Sequence, residues 1–277
     1  MVDERRRPIS HKSLALGVKA RVYCKWGLDV PTEFENAVNI YVDRRKDTPK
    51  SPGEFDVLYL CEPHTILPKM SDYARKHPHT FDLIVASTDR LEGRPKVVHL
   101  EFGTSWIRQG GLPQKVEGIS MVVGAKSVTD GHALRHEIWR RQGEIRQRKS
   151  FYVSKHGGPS APAWPQLGDD KTAMFDCMFH IAIENTRCKY YFTEKLVDCL
   201  VTKTVPIYWG CTNIADYFDT RGLLLAASAD QIVSTCNSAT PEAYERMKPY
   251  IEDNFRRAQQ FIHLGDRLGR KIKQYVA

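Results

Sequence analysis

The sequence runs to 277 residues and 31.7 kDa, with 42% hydrophobic and 27% charged side chains, enough to bury a substantial core and divide it between two domains. This excludes intrinsic disorder for most of the chain. No apolar run of about eighteen residues occurs and Met1 to Pro8 is charged, so neither a membrane span nor a secretory leader is expected. Lys and Arg number 41 against 33 Asp and Glu, and this +8 surplus suits an anionic partner without choosing among phosphates, nucleic acid and acidic membranes.

The elements follow in chain order. Val18 to Trp26, Phe55 to Cys61, Phe81 to Ser87 and Val97 to Phe102 are apolar runs of strand length, with a helix over Ile66 to Lys76 and a charged, Pro-containing loop over Asp43 to Gly53. After Gly110 and Gly111 the pattern restarts with a strand over Ile119 to Val123, a helix over His132 to Arg148 and a strand over Ser150 to Ser154, so the domain boundary is expected near Gly111. His156 to Asp170 holds three glycines and three prolines and reads as a surface loop. Beyond it come a strand over Met178 to Ile183, a helix over Thr193 to Lys203 and a strand over Val205 to Gly210. A short helix over Ile214 to Phe218 and a strand over Leu223 to Ala226 follow. Helices over Pro241 to Ile262 and Asp266 to Tyr275 close the chain, the second a candidate to pack back onto the first domain. Strands alternating with helices predict an α/β protein built on parallel sheets.

Metal and disulfide chemistry is not expected. The seven cysteines are an odd number without a C-x-x-C pair, which favours free thiols in a reducing compartment. No H-E-x-x-H occurs, and His77 and His79 lack further ligands nearby. The basic run Arg5 to Arg7 reads as a solvated tail, and with no zinc finger, helix-turn-helix or RNA-binding pattern, nucleic acid is not the expected partner.

Polar groups concentrate where open α/β sheets bind ligands, at the carboxyl ends of strands. The strand over Met178 to Ile183 delivers Glu184 and Asn185 to the sheet edge. Thr193 stands as an N-cap whose following amides point outward at the positive end of a helix dipole, a place suited to an anion. Lys195 opposes that dipole in the first turn, a local cost that is explained if it faces a phosphate. The plain alternative makes Glu194 and Lys195 solvated helix-face charges and Glu184 with Asn185 a strand-ending turn.

The whole run, F-x-I-A-x-E-N-x-x-x-x-x-Y-x-T-E-K-L-x-D-x-L followed by V-P-I-Y-W-G and the pair Tyr217-Phe218, resembles the donor-binding motif of the α-1,3-fucosyltransferase family. The resemblance implies a GT-B fold, with two Rossmann-like domains facing across a cleft. Residues 1–111 would form a small acceptor-side domain and 112–277 a domain that holds the sugar nucleotide. It further implies inverting transfer of a sugar, from GDP-fucose in the first place, to a hydroxyl of an oligosaccharide or glycoprotein acceptor, with no cofactor and no essential metal.

Carried over by position, Glu194 accepts from ribose hydroxyls, Lys195 pairs with the diphosphate and Tyr191 supports the donor, while Glu184, Asn185 and Thr193 line the same pocket. The family's second phosphate clamp is an arginine opening the first helix of the C-terminal domain, which selects Arg135; the rival is a helix-face arginine like Arg140, Arg141, Arg146 and Arg148. Lys126 and Ser127 are weaker candidates for the same anion. Inversion needs a base in the other domain. Glu62, after the strand ending at Cys61, matches the family's catalytic glutamate, with Glu101 as the alternative and Asp82 and Asp89 further behind. Trp26, Trp106, Tyr208 and Trp209 could stack on a sugar or base but are more simply core or partly buried residues. A UDP-linked donor such as UDP-xylose or UDP-galactose, and a non-catalytic carbohydrate- or nucleotide-binding module, stay open. Without a membrane anchor the expected setting is cytoplasmic, in a protein of bacterial or viral type.

Overall fold

The computed structural model describes residues 17–46, 49, 52–107 and 112–276; the boundary expected at Gly111 and the run Arg5 to Arg7 lie outside these residues. A first sheet takes the order β2-β4-β5-β6-β7, from β2 (Arg21–Tyr23), β4 (Val38–Val42), β5 (Phe55–Leu60), β6 (Leu83–Ala86) and β7 (Val97–His99), with α1 (Pro68–Lys76) between β5 and β6. A small antiparallel pair, β1 (Val18–Lys19) with β3 (Glu33–Phe34), lies outside it. A second sheet takes the order β12-β11-β10-β8-β9, from β8 (Val116–Val123), β9 (Lys149–Val153), β10 (Cys177–Ile183), β11 (Val205–Trp209) and β12 (Leu224–Leu225). Its helices are α2 (Asp130–Arg140), α3 (Glu194–Val201), α4 (Ala229–Ser238) and α5 (Pro241–Ala258), and α6 (Leu264–Val276) ends the described chain. Every strand pair in both five-stranded sheets is parallel.

Parallel sheets need cover on both faces, and each sheet has an apolar core on either side. On the second sheet, Ile138 and Trp139 of α2 with Ile232, Val233 and Cys236 of α4 fill one face, and Leu196, Val197 and Leu200 of α3 fill the other. On the first, Met70 and Ala74 of α1 cover one face. The other face is closed from the far end of the chain: Leu264, Leu268 and Ile272 of α6 join Val30, Val38, Ile40, Val57 and Tyr59. Burying each such side chain contributes on the order of 1.5–3 kcal/mol. The approach is close enough to require glycine, since a Cβ at Gly265 would lie 1.8 Å from the Asp29 carbonyl oxygen and one at Gly269 1.9 Å from Thr32 Oγ1.

Several elements depart from expectation: the strand expected over Val18 to Trp26 is two short ones, β1 and β2, in different sheets, and β3 stands where none is expected. The β4 strand stands where no strand is expected, because its second residue, Asn39, interrupts the apolar run; the Nδ2 of that side chain donates inside the sheet to Asp56 and Glu54, each at 3.0 Å. The expected helix over His132 to Arg148 stops at Arg140, and a single tight turn over Gln142–Glu144 follows. The α4 helix stands in a polar stretch, though its N-cap Ser228 followed three residues later by Gln231 is a local mark of a helix start.

The segment joining the two sheets is held at both sides. Arg267 of α6 donates to the carbonyls of Glu101 and Gly103, while Ser105 Oγ and the Trp106 amide donate to Asp198 Oδ1 of α3 at 2.8 and 2.9 Å. Burial pushes the Asp198 carboxyl up to about 7, against the bond from Ser105. The folded value lies above an unfolded one of about 4, so the stability tied to this group is fully present below that pH and is lost as pH rises through about 7. Asp198→Asn can accept the same two bonds without titrating. In thermal melts at pH 8 it is expected to be more stable than the wild type by on the order of 1 kcal/mol or more, the gain shrinking toward acid. A wild-type advantage that grows with pH would contradict this.

Candidate active site

Two helix amino ends meet at the end of β10. The α3 helix is capped by Thr193, whose Oγ1 accepts from the Lys195 amide at 3.3 Å. The α2 helix is capped by Thr129 and pressed against the strand end: the Gly131 amide donates to the Asn185 carbonyl at 3.2 Å, and a Cβ at Gly131 would lie 1.8 Å from the Glu184 carbonyl oxygen. Only glycine allows that approach.

Glu184 is fully buried and serves the pocket from behind. Its Oε1 accepts from the Thr193 amide at 2.8 Å and its Oε2 from Thr193 Oγ1 at 2.7 Å, so both oxygens hold the N-cap of α3 and neither is left to line a pocket as expected. Burial pushes this carboxyl up to about 7, opposed by the Lys195 ammonium 3.9 Å from Oε2. Asn185 Oδ1 accepts from Arg135 Nη2 at 2.7 Å, which fixes the arginine's head. Arg135 is therefore no solvated helix-face residue: burial lowers its basicity, while the charges of Glu184 and Glu194 and the Tyr191 hydroxyl support it.

Lys195 Nζ donates to Glu194 Oε1 at 2.9 Å and to Thr193 Oγ1 at 3.2 Å. Burial acts to lower its pKa, but Glu194 and Glu184 outweigh it and the ammonium stays charged. Burial likewise acts against the Glu194 carboxylate, and Lys195 with Lys171 holds it below the usual range. Arg135 and Lys195 repel one another here, and two cations beside a helix amino end form a site for an anion.

Glu62 comes to this place from the other sheet, two residues beyond β5. The buried Tyr191 hydroxyl donates to Glu62 Oε2 at 3.4 Å. Burial raises the Glu62 carboxyl above the ordinary range, with Lys195 opposing, Glu194 adding, and the Tyr191 bond and Lys126 opposing further. Glu62, Tyr191, Thr193, Glu194, Lys195, Arg135 and the weaker candidate Lys126 are thus one electrostatic neighbourhood.

Glu101 stands apart. It lies 3.4 Å from His99 Nε2 and 3.6 Å from Arg267 Nη1, and although burial opposes, the neighbouring His99, with its own backbone and Tyr217, holds it down to about 2. It lines a cavity of about 480 Å³ with Tyr217, Arg257, Arg270 and Lys271, which none of the residues around Glu62 lines.

Two residues escaped the sequence reading. Asp43, in a left-handed backbone conformation after β4, accepts from the Cys61 amide at 3.0 Å and the Cys61 thiol at 2.6 Å, with longer contacts from the Glu62 amide, and so fixes the strand end that carries Glu62. An Asp where the chain turns with positive φ is its only local trace. Lys171, in the stretch after the Pro-rich loop, acts on Glu194 and Asp198; nothing local marks it. Among the described residues no group of three His, Cys, Asp or Glu could hold a metal ion, and no helix is long and apolar enough to cross a membrane. All seven cysteines are free.

Residues 136–222 match the family model described as glycosyltransferase family 10 (fucosyltransferase), C-terminal. The match takes in Glu184 to Lys195 and leaves Arg135 and Glu62 outside. The α-(1,3)-fucosyltransferase FucT of Helicobacter pylori is 37% identical over 46 residues, 17% of this chain and 10% of that protein's length. Among solved structures, an α1,3-fucosyltransferase with GDP-fucose is similar with a TM-score of 0.52 at 14% identity, over 88% of this chain and 84% of that one. A mutant of S. aureus TarM in complex with fondaparinux, α-GlcNAc-glycerol and UDP is similar with a TM-score of 0.60 at 9% identity, over 87% of this chain and 55% of that one. Local sequence and overall architecture agree: the chain is similar to the family 10 fucosyltransferases, and its fold is the GT-B fold of glycosyltransferases.

Proposed function

We propose that the chain is an inverting glycosyltransferase that moves a sugar, fucose from GDP-fucose in the first place, to a hydroxyl of a glycan acceptor. Glu62 takes the proton of the acceptor hydroxyl as that oxygen bonds to the anomeric carbon, from the face opposite the diphosphate. The bond from that carbon to the phosphate oxygen breaks and its electron pair leaves with the nucleoside diphosphate. Lys195, Arg135 and the first amides of α3 neutralise the departing charge, and Glu194 holds the ribose. With two side-chain cations and a helix amino end at the leaving group, the reading requires no metal ion.

The observation that carries the proposal is the bond from Tyr191 to Glu62, because it brings a carboxyl of raised pKa from one sheet into the field of Lys195 on the other. A base with a raised pKa is matched to a hydroxyl proton near neutral pH. The test is a screen for nucleoside diphosphate release over GDP-fucose, UDP-xylose, UDP-galactose and UDP-glucose with a panel of glycan acceptors. GDP release that depends on acceptor is expected. UDP release in its place would move the donor assignment, and binding without release from any donor would leave a carbohydrate- or nucleotide-binding module. Donors of both bases belong in the screen, since the solved structures of like fold hold GDP-fucose in one case and UDP in another.

A further inference from the structure

We propose that Trp106, braced by Lys171, is the platform on which the base of the bound nucleotide stacks; the assignment rests on the reading that a nucleoside diphosphate lies at the amino end of α3. Trp106 is 54% exposed, yet it is not loose. Its amide is held by Asp198, the preceding Ser105 is held by the same oxygen, and the following Ile107 packs against the core of the second sheet. A ring displayed on a backbone fixed at both sides has little freedom left to lose when a ligand covers it. Lys171 Nζ lies 3.8 Å from the ring centroid, so one face carries a cation, and the exposed part of the ring is what a ligand can cover.

The position follows from α3. Asp198 comes four residues after Glu194, which puts the two carboxylates on one face of the helix a single turn apart. Trp106 is tied to Asp198 through its amide and Lys171 lies over its ring, and that lysine is under the charge of Glu194, Asp198 and Lys195 together, so the ring stands beside the α3 face that carries Glu194. In a nucleotide the base and the phosphate leave the ribose at opposite ends. With the diphosphate at Lys195 and the ribose at Glu194, the base extends beyond Glu194, where Trp106 supplies a flat apolar surface. Every base has a π-face to stack, and a purine covers more of an indole than a pyrimidine does, so GDP gains more from this platform than UDP.

The test is calorimetric titration of the wild type, Trp106→Ala and Trp106→Phe with GDP, UDP and inorganic pyrophosphate. Trp106→Ala is expected to bind GDP about tenfold or more weakly, to lose less for UDP and to bind pyrophosphate as the wild type does, with Trp106→Phe recovering most of the loss. Unchanged GDP affinity overturns the assignment. Equal losses for GDP and pyrophosphate also overturn it, because they would mean that the substitution acts through the docking of the joining segment. So does weakened acceptor binding with GDP affinity intact, which would give the ring to the acceptor sugar. Wild-type protein that binds none of the three removes the donor-site reading itself, and this assignment with it.

Discussion

Glu62→Gln lowers kcat by roughly 10²–10⁴-fold and leaves donor affinity unchanged, as expected where a general base is removed without disturbing the pocket that holds the leaving group. The glutamine keeps the side chain's shape and can still accept from Tyr191, so the loss reads the proton transfer rather than the packing. In the wild type the base must be ionised, so kcat/KM rises with pH through the Glu62 pKa, and burial places that limb above the ordinary glutamate value of 4.5. The measurement is a pair of pH–rate profiles with a titration of nucleoside diphosphate. Turnover near the wild-type rate in Glu62→Gln would exclude Glu62 as the base and return attention to Glu101. That alternative is poorly placed, because a carboxylate held down to about 2 by His99 has little tendency to take a proton.

The second large effect is expected at Lys195. Lys195→Ala removes the ammonium nearest the α3 amino end, and loss of a charge-stabilising donor of this kind costs about 10²–10³-fold in rate. It also leaves Glu194 and Glu184 buried beside one another with less compensation, so affinity for nucleoside diphosphate falls together with kcat. A purely structural lysine would lower thermal stability while affecting nucleoside and nucleoside diphosphate binding alike. A phosphate-pairing lysine weakens the diphosphate far more than the nucleoside, and comparing guanosine with GDP in both proteins separates the two.

The half of the candidate site around α3 was legible because its parts are local. A strand ending in Glu184 and Asn185, a Thr N-cap and a lysine misplaced for the helix dipole lie within Glu184 to Lys195, and short-range patterns of this kind hold in the fold. What the same residues do there was less legible. Glu184 turns both oxygens inward to Thr193, a choice invisible until the loop between them closes. The β4 strand was hidden by Asn39, whose Nδ2 finds partners on the neighbouring strand and the loop before it, and α4 by a polar stretch in which only the cap is informative.

By itself the sequence determined the parallel α/β architecture and the helix amino end capped by Thr193, because periodicity and capping act over a few residues, while Glu62 was singled out through the resemblance to a family's catalytic glutamate. The tertiary structure alone decided which groups share a field. Tyr191 meets Glu62 across 129 positions of chain, α6 closes the first sheet from the opposite end of the molecule, and Asp198 anchors Trp106. Such pairings depend on how two sheets are set against each other, and the burial that shifts these carboxyls exists only once they are.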